Sequence, residues 1–216
     1  MSVRKIPKNH IHVTGRHATQ KSKHDADFES PLEADHLLLL DHDPQIKTYT
    51  VQPVRIPVPG VPSGYVPDVQ VEFHPNDDGF IPAQEVREVK SELDLKVNSD
   101  KYAPKFAAAK AYCEQRGWVF RIITDEEIRI PRLGNVKFVR AYTHQQHSLE
   151  RRNQVLTRIS SLGRTDSTAL LNSLSTDQDE QLGWMPVMWH LVANRKIGVD
   201  WDVPFGSTVT LWPVES

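Results

Sequence analysis

The chain has 216 residues, 38% of them hydrophobic, a single cysteine and a formal net charge of −2. That length and apolar content suffice for one domain of middling size plus a small one. One cysteine, Cys113, excludes an internal disulfide framework, no apolar run is long enough for a bilayer span or a signal-peptide core, and a slightly acidic balance leaves the distribution of charge to carry the information.

The first segment is locally basic. Arg4, Lys5, Lys8, Arg16, Lys21 and Lys23 precede the first acid, Asp25, with His10, His12, His17 and His24 interspersed and no hydrophobic periodicity. Residues 1–27 therefore read as a basic arm that either neutralises phosphates and folds on contact with DNA or a partner, or is a solvated tail. The histidines lack the spacing of a zinc site. Ser30-Pro31-Leu32-Glu33 then opens a helix running from Ala34 to Asp41, with Ser30 as N-cap and Pro31 at the first helical position. Glu33 has two competing roles: closing a capping box with Ser30, or supplying a carboxylate to a cation. Gln52-Pro53 ends one extended run and starts another, and Gln52 is placed either to touch DNA or to buttress the sheet.

Tyr65–Phe73 reads as an extended segment in which Val69, Val71 and Phe73 share one face and Asp68 and Gln70 the other. After the turn His74–Gly79, whose Asp77 and Asp78 read as solvated, the run Glu85–Lys90 points Glu88 and Lys90 to one face and Val89 into a core. Pro67-Asp68 followed by Glu88-x-Lys90 is the skeleton of a metal-dependent phosphodiester-cutting site. Two carboxylates hold a hard cation such as Mg²⁺, with Mn²⁺ as a substitute, and an ammonium sits beside the attacked phosphate. Ala103 to Arg116 reads as a helix with one apolar side, stopped by Gly117, and Cys113 as its buried structural thiol. Trp118–Ile123 reads as a buried strand.

These motifs, taken together and in order, resemble the TnsA family, the endonuclease subunit of heteromeric transposases. The residues that carry the resemblance are Phe28-Glu29-Ser30-Pro31-Leu32-Glu33, Leu37–Leu40 with Asp41-His42-Asp43-Pro44, Gln52-Pro53-Val54-Arg55-Ile56, Tyr65-x-Pro67-Asp68, Glu88-Val89-Lys90, and the run Gly117-Trp118 to Ile128-Arg129. The resemblance implies a restriction-endonuclease-like PD-(D/E)xK fold over residues 28–143, a central mixed sheet flanked by helices. It places the metal-binding acids on Glu33, Asp68 and Glu88, helped by the Val89 carbonyl, and the catalytic lysine on Lys90. The best-known family member has Gln where this chain has Glu88, which adds a negative charge to the metal site. The resemblance also implies cleavage of the 5′, non-transferred strands of transposon-end DNA, a TnsB-like DDE transposase and a TnsC-like AAA+ ATPase as partners, and a bacterial cytoplasmic, nucleoid-associated location.

A second domain is expected at residues 144–216. Leu149 to Leu162 is helical, Asp166 caps a helix through Leu174, and Asp179 to Val192 is a third helix despite Pro186. Ile197–Trp201 and Val209–Trp212 follow as a hairpin, giving a winged-helix-like α+β module. Its acidic balance favours docking on partner subunits, with Arg195 and Lys196 as a local DNA contact. A stand-alone restriction or repair nuclease, and a catalytically idle assembly scaffold, are the alternative functional readings.

Overall fold

The computed structural model describes residues 14–22 and 26–214. Arg4, Lys5 and Lys23 of the basic arm lie outside the described residues. The chain divides into two compact units between Arg129 and Ile130.

The first unit contains β1 (Gly15–His17), β2 (Ala26–Phe28), α1 (Pro31–His42), β3 (Ile46–Val51), β4 (Ile56–Val58), β5 (Val61–Tyr65), β6 (Val69–Phe73), β7 (Glu85–Lys90), α2 (Glu92–Val97), α3 (Ser99–Glu114), β8 (Val119–Thr124) and α4 (Asp125–Ile128). Its central sheet has the order β3-β6-β7-β8, antiparallel except for the parallel pair β7–β8. A parallel pair needs a crossover, and α2 with α3 supplies it. Leu37 and Leu40 of α1 bury against Ile46, Tyr49, Val51, Val69 and Val71. Ala109 and Phe106 of α3 pack on Ile56, Val58 and Tyr65 of the β4–β5 hairpin. This is the mixed α/β, restriction-endonuclease-like architecture.

Two local expectations change. β1 and β2, within the segment read as an unstructured arm, pair with each other, and His17 is buried with Nε2 2.6 Å from Asp41 Oδ2. Asp41 also accepts from Thr19 Oγ1 at 2.5 Å and Tyr49 OH at 3.0 Å, so three side chains from two segments are tied to the end of α1 by one carboxylate. No local periodicity reports such a long-range acceptor. β8, read as buried, is an edge strand: only Ile123 is fully buried, and Val119 is 44% exposed.

The second unit contains α5 (Pro131–Val139), a 3-10 turn (Arg140–Tyr142), α6 (Leu149–Leu162), β9 (Thr165–Asp166), α7 (Ser167–Leu174), α8 (Gln178–Ala193), β10 (Ile197–Val199) and β11 (Thr210–Pro213). Its sheet is antiparallel in the order β10-β11-β9. Helix, short strand, two helices and a hairpin make the winged-helix arrangement. Asp166 Oδ1 accepts from Ala169 N at 2.8 Å and so caps α7. Val155 and Ile159 of α6, Leu170 of α7, Val187, Met188 and Val192 of α8, and Ile197 and Leu211 of the hairpin form the core. Gly198 has a packing reason: a Cβ there would lie 2.1 Å from the indole nitrogen of Trp212, its cross-strand neighbour. α5 was not foreseen, and it lies within the span read as endonuclease domain; its Val139 enters the core of this second unit.

Candidate active site

Strand pairing brings the central residues together. β6 and β7 pair Val69 with Arg87, so Asp68 and Glu88 stand one step beyond that pair at the same end of the two strands. Asp68 is locked there: its Oδ2 accepts the Val89 N–H at 2.7 Å, and its carbonyl accepts the Gln52 N–H at 2.8 Å. Glu88 is 5% exposed, and its Oε1 lies 2.7 Å from Lys90 Nζ while its Oε2 accepts the Tyr65 hydroxyl at 2.6 Å. Lys90 Nζ also donates to the Val89 carbonyl at 3.0 Å and lies 3.7 Å from Asp68 Oδ2.

Three oxygens from Glu88, Val89 and Asp68 thus converge on one positive centre, the Lys90 ammonium. The donors are two carboxylates and a carbonyl, the hard-oxygen chemistry that Mg²⁺ selects. The ammonium stands in for a cation, so these residues fit a divalent metal. Among the described residues no group of three or more His, Cys, Asp or Glu side chains is gathered for a metal. Glu33 accounts for this: its Oε1 accepts from Ser30 Oγ at 2.9 Å and its Oε2 from Glu29 N at 2.8 Å, while Ser30 Oγ accepts from Glu33 N at 3.2 Å. It braces the Ser30 N-cap of α1 and at the same time faces the cavity that Asp68 lines.

The charges press on one another. Burial pushes the Asp68 carboxyl well above the usual carboxylate range and the charges of Glu88 and Glu33 push it further, against the pull of Lys90 and the Val89 N–H. Glu33 is also raised, chiefly by burial. Burial works against the charge on Lys90, but Asp68 and Glu88 together outweigh it and hold the ammonium above its ordinary value. A buried site of like charges held by one lysine has a standing requirement for positive charge.

The remaining sequence-predicted residues fall elsewhere. Gln52 is buried, holds a left-handed backbone (φ 46°), and donates from Nε2 to Glu29 Oε1 at 3.1 Å. A non-glycine residue there is strained, and the strain sits beside Asp68, where Gln52 buttresses the site. Arg16 pairs with Asp27 at 3.4 Å across β1–β2. Lys21 donates from Nζ to the carbonyls of Leu40, at 3.0 Å, and Asp43, a cation bound to the C-terminal end of α1. In the second unit Arg195 (φ 57°) lies over the Trp201 ring, and Arg195 and Lys196 are exposed.

Two residues to which the sequence assigned no part in the site complete the surroundings. Tyr65 is described above; its hydroxyl is paired with a residue 23 positions away, which spacing alone does not reveal. His36 stands one turn after Glu33 on α1, is 4% exposed, and lines a cavity of about 10 Å³ with Glu33, Gln52, Asp68 and Val89. That is room for roughly one water. Its Nε2 has no hydrogen-bond partner among the described residues. Burial, aided by the charges of Arg87 and Arg121, pushes its pKa down to about 3, so the imidazole is neutral.

A pH dependence follows. A base whose folded pKa lies below its unfolded value contributes stability that is complete above the unfolded pKa and is lost as pH falls below it. From an unfolded value of 6.5 and a folded value of about 3, His36 should cost about 1.4 kcal/mol of stability between about pH 7.5 and 5.5. Urea unfolding of wild type and His36→Leu across that interval should show the slope smaller in the variant by this amount. Equal slopes would mean that His36 titrates normally in the folded chain.

Comparison with known families places both units. The family model described as TnsA-like endonuclease N terminal matches residues 43–125, and that described as TnsA endonuclease C terminal matches residues 127–201. Asp68, Glu88 and Lys90 fall within the first match, and Glu33 lies ahead of it. No curated protein matches the chain.

Proposed function

The chain belongs to the TnsA endonuclease family and is an endonuclease subunit of a Tn7-type transposase, and we propose that it cuts the 5′, non-transferred strands at transposon ends by attack of water on the phosphodiester. The observation that carries this reading is the convergence of Asp68, Glu88 and the Val89 carbonyl on the Lys90 ammonium at one end of β6–β7. Asp68, Glu88 and the Val89 carbonyl would hold Mg²⁺, or Mn²⁺ in its place, with Glu33 completing the set on leaving its partners at the start of α1. The metal supplies a water of lowered pKa and offsets charge on the phosphate oxygens. Lys90 orients that water or faces the charge that builds on phosphorus. Asp68 and Glu88 would fix the position of the cation relative to Lys90.

The substrate on this reading is double-stranded DNA of the transposon ends. On this reading a TnsB-like DDE transposase would recognise those ends and cut and join the 3′ strands, and a TnsC-like AAA+ ATPase would regulate the assembly; membership of the family supports Tn7-type partners in general. The second unit supports docking onto these partners more than reading of DNA. In helix-turn-helix proteins the N-terminal residues of the recognition helix meet the bases. Here α8 begins with Asp177 as its cap and Asp179 and Glu180 in its first turn, which repel phosphate. Arg195 and Lys196 are left as a local DNA contact. Among the described residues no helix is long and apolar enough to cross a membrane.

Strand-resolved cleavage of an end-labelled transposon-end duplex, with Mg²⁺ or EDTA and with or without the cognate transposase, tests the reading. Mg²⁺-dependent nicks confined to the 5′ strands and requiring the transposase are expected. Cleavage without it would make the chain an autonomous nuclease, and no cleavage under any condition would make it an assembly scaffold.

A further inference from the structure

The two oxygens of Glu88 have different partners. Oε1 faces Lys90 Nζ at 2.7 Å, on the side where Asp68 and the Val89 carbonyl converge, and Oε2 is tied to the Tyr65 hydroxyl at 2.6 Å. Tyr65 lies at the end of β5, is 6% exposed, and has its ring edge-on to Phe106 at 6.4 Å; Phe106 in turn stacks on Tyr102 at 5.3 Å. Packed on this aromatic row, the phenol has little room to withdraw.

We infer that Tyr65 is a positioning residue that restricts Glu88 to one-oxygen ligation and thereby sets the preference of the site for Mg²⁺ over Ca²⁺. This rests on the metal-dependent reading above. The physical basis is the difference between the two cations. Ca²⁺ takes six to eight oxygens at longer distances and accepts carboxylates through both oxygens, whereas Mg²⁺ demands a tight octahedron of singly offered oxygens. A glutamate with Oε2 held by a buried hydroxyl offers Oε1 alone. Removing the hydroxyl frees the second oxygen and relaxes the constraint that disfavours Ca²⁺. Tyr65 reaches the reaction only through Glu88, and so it acts on cation choice and on the alignment of Oε1 with Lys90.

The test is competition of Mg²⁺ and Ca²⁺ against Mn²⁺ bound to the full chain, read by the EPR signal of free Mn²⁺, for wild type, Tyr65→Phe and Tyr65→Leu. A hydrogen bond to a charged group sets the scale, so Tyr65→Phe should shift the Ca²⁺/Mg²⁺ affinity ratio toward Ca²⁺ by about tenfold. Its melting temperature should fall by no more than the loss of one hydrogen bond to a buried carboxylate accounts for, because the ring packing is kept. Tyr65→Leu should show the same ratio shift together with a lower melting temperature. A wild-type ratio in Tyr65→Phe would overturn the inference and leave Tyr65 a packing residue. Failure of wild type to bind Mn²⁺ would instead remove the metal-dependent reading on which it stands.

Discussion

Asp68→Asn is expected to lower cleavage of the transposon end by at least about a thousandfold, the scale on which a preorganised charge at a reacting centre acts, while leaving the chain folded. Asp68 is the residue on which the other groups depend geometrically. Its side chain accepts from Val89 N, its carboxylate stands 3.7 Å from the Lys90 ammonium, and its carbonyl anchors Gln52. Asparagine keeps an acceptor for the Val89 N–H and removes only the charge. Stability should move in the opposite direction to activity. A carboxyl raised above its ordinary value of 3.8 binds its proton more tightly in the folded chain than in the unfolded one. Its contribution is therefore present below that value and lost as pH rises through the folded pKa. At neutral pH the charged Asp68 opposes folding, and the asparagine variant should melt no lower than wild type. Asp68→Ala should lose cleavage equally but leaves Val89 N–H without its acceptor, which costs stability. Nicking at the wild-type rate by either variant would refute the assignment, and so would a collapse of folding in Asp68→Asn.

Much of this site was legible because its logic is local. Ser30-Pro31-x-Glu33 states a helix start in four residues, and the chain folds accordingly, with Pro31 in the first turn and Glu33 on the Ser30 hydroxyl. Period-two alternation put Glu88 and Lys90 on one face, and a 2.7 Å contact joins them. The three main helices of the second unit carry their caps or apolar spacing in sequence, and α6 spans the same residues, Leu149–Leu162. What escaped notice depends on partners far along the chain or on burial that composition does not encode. Tyr65 reads as a strand residue until Glu88 is brought to its hydroxyl, and His36 reads as a helix residue until the sheet closes over it. α2 has no buried residue, so no periodic apolar face announces it. β8 is rich in apolar residues yet lies at the edge of the sheet, because apolar content reports a preference for burial and not a place in the strand order.

Lys90→Met separates the two roles that the ammonium combines. Cleavage should fall as far as in Asp68→Asn, since no other described cation touches both Asp68 and Glu88. Folding should also weaken, because the lysine is the counter-charge for two largely buried carboxylates. Breaking a buried pair by removing one partner costs about 3 kcal/mol or more. A divalent cation held by Glu88 Oε1, Asp68 Oδ2 and the Val89 carbonyl replaces the charge but not the lysine's action on water or phosphate. Mg²⁺ should therefore raise the melting temperature of Lys90→Met more than that of wild type, and at no concentration should it restore nicking. Thermal unfolding across a Mg²⁺ titration, beside the strand-resolved assay, reads both quantities on the same preparation. Equal Mg²⁺ stabilisation of the two proteins would place the cation away from the oxygens that surround Lys90. Restoration of cleavage by Mg²⁺ alone would reduce the lysine to a counter-ion, leaving Asp68, Glu88 and the metal to carry the reaction.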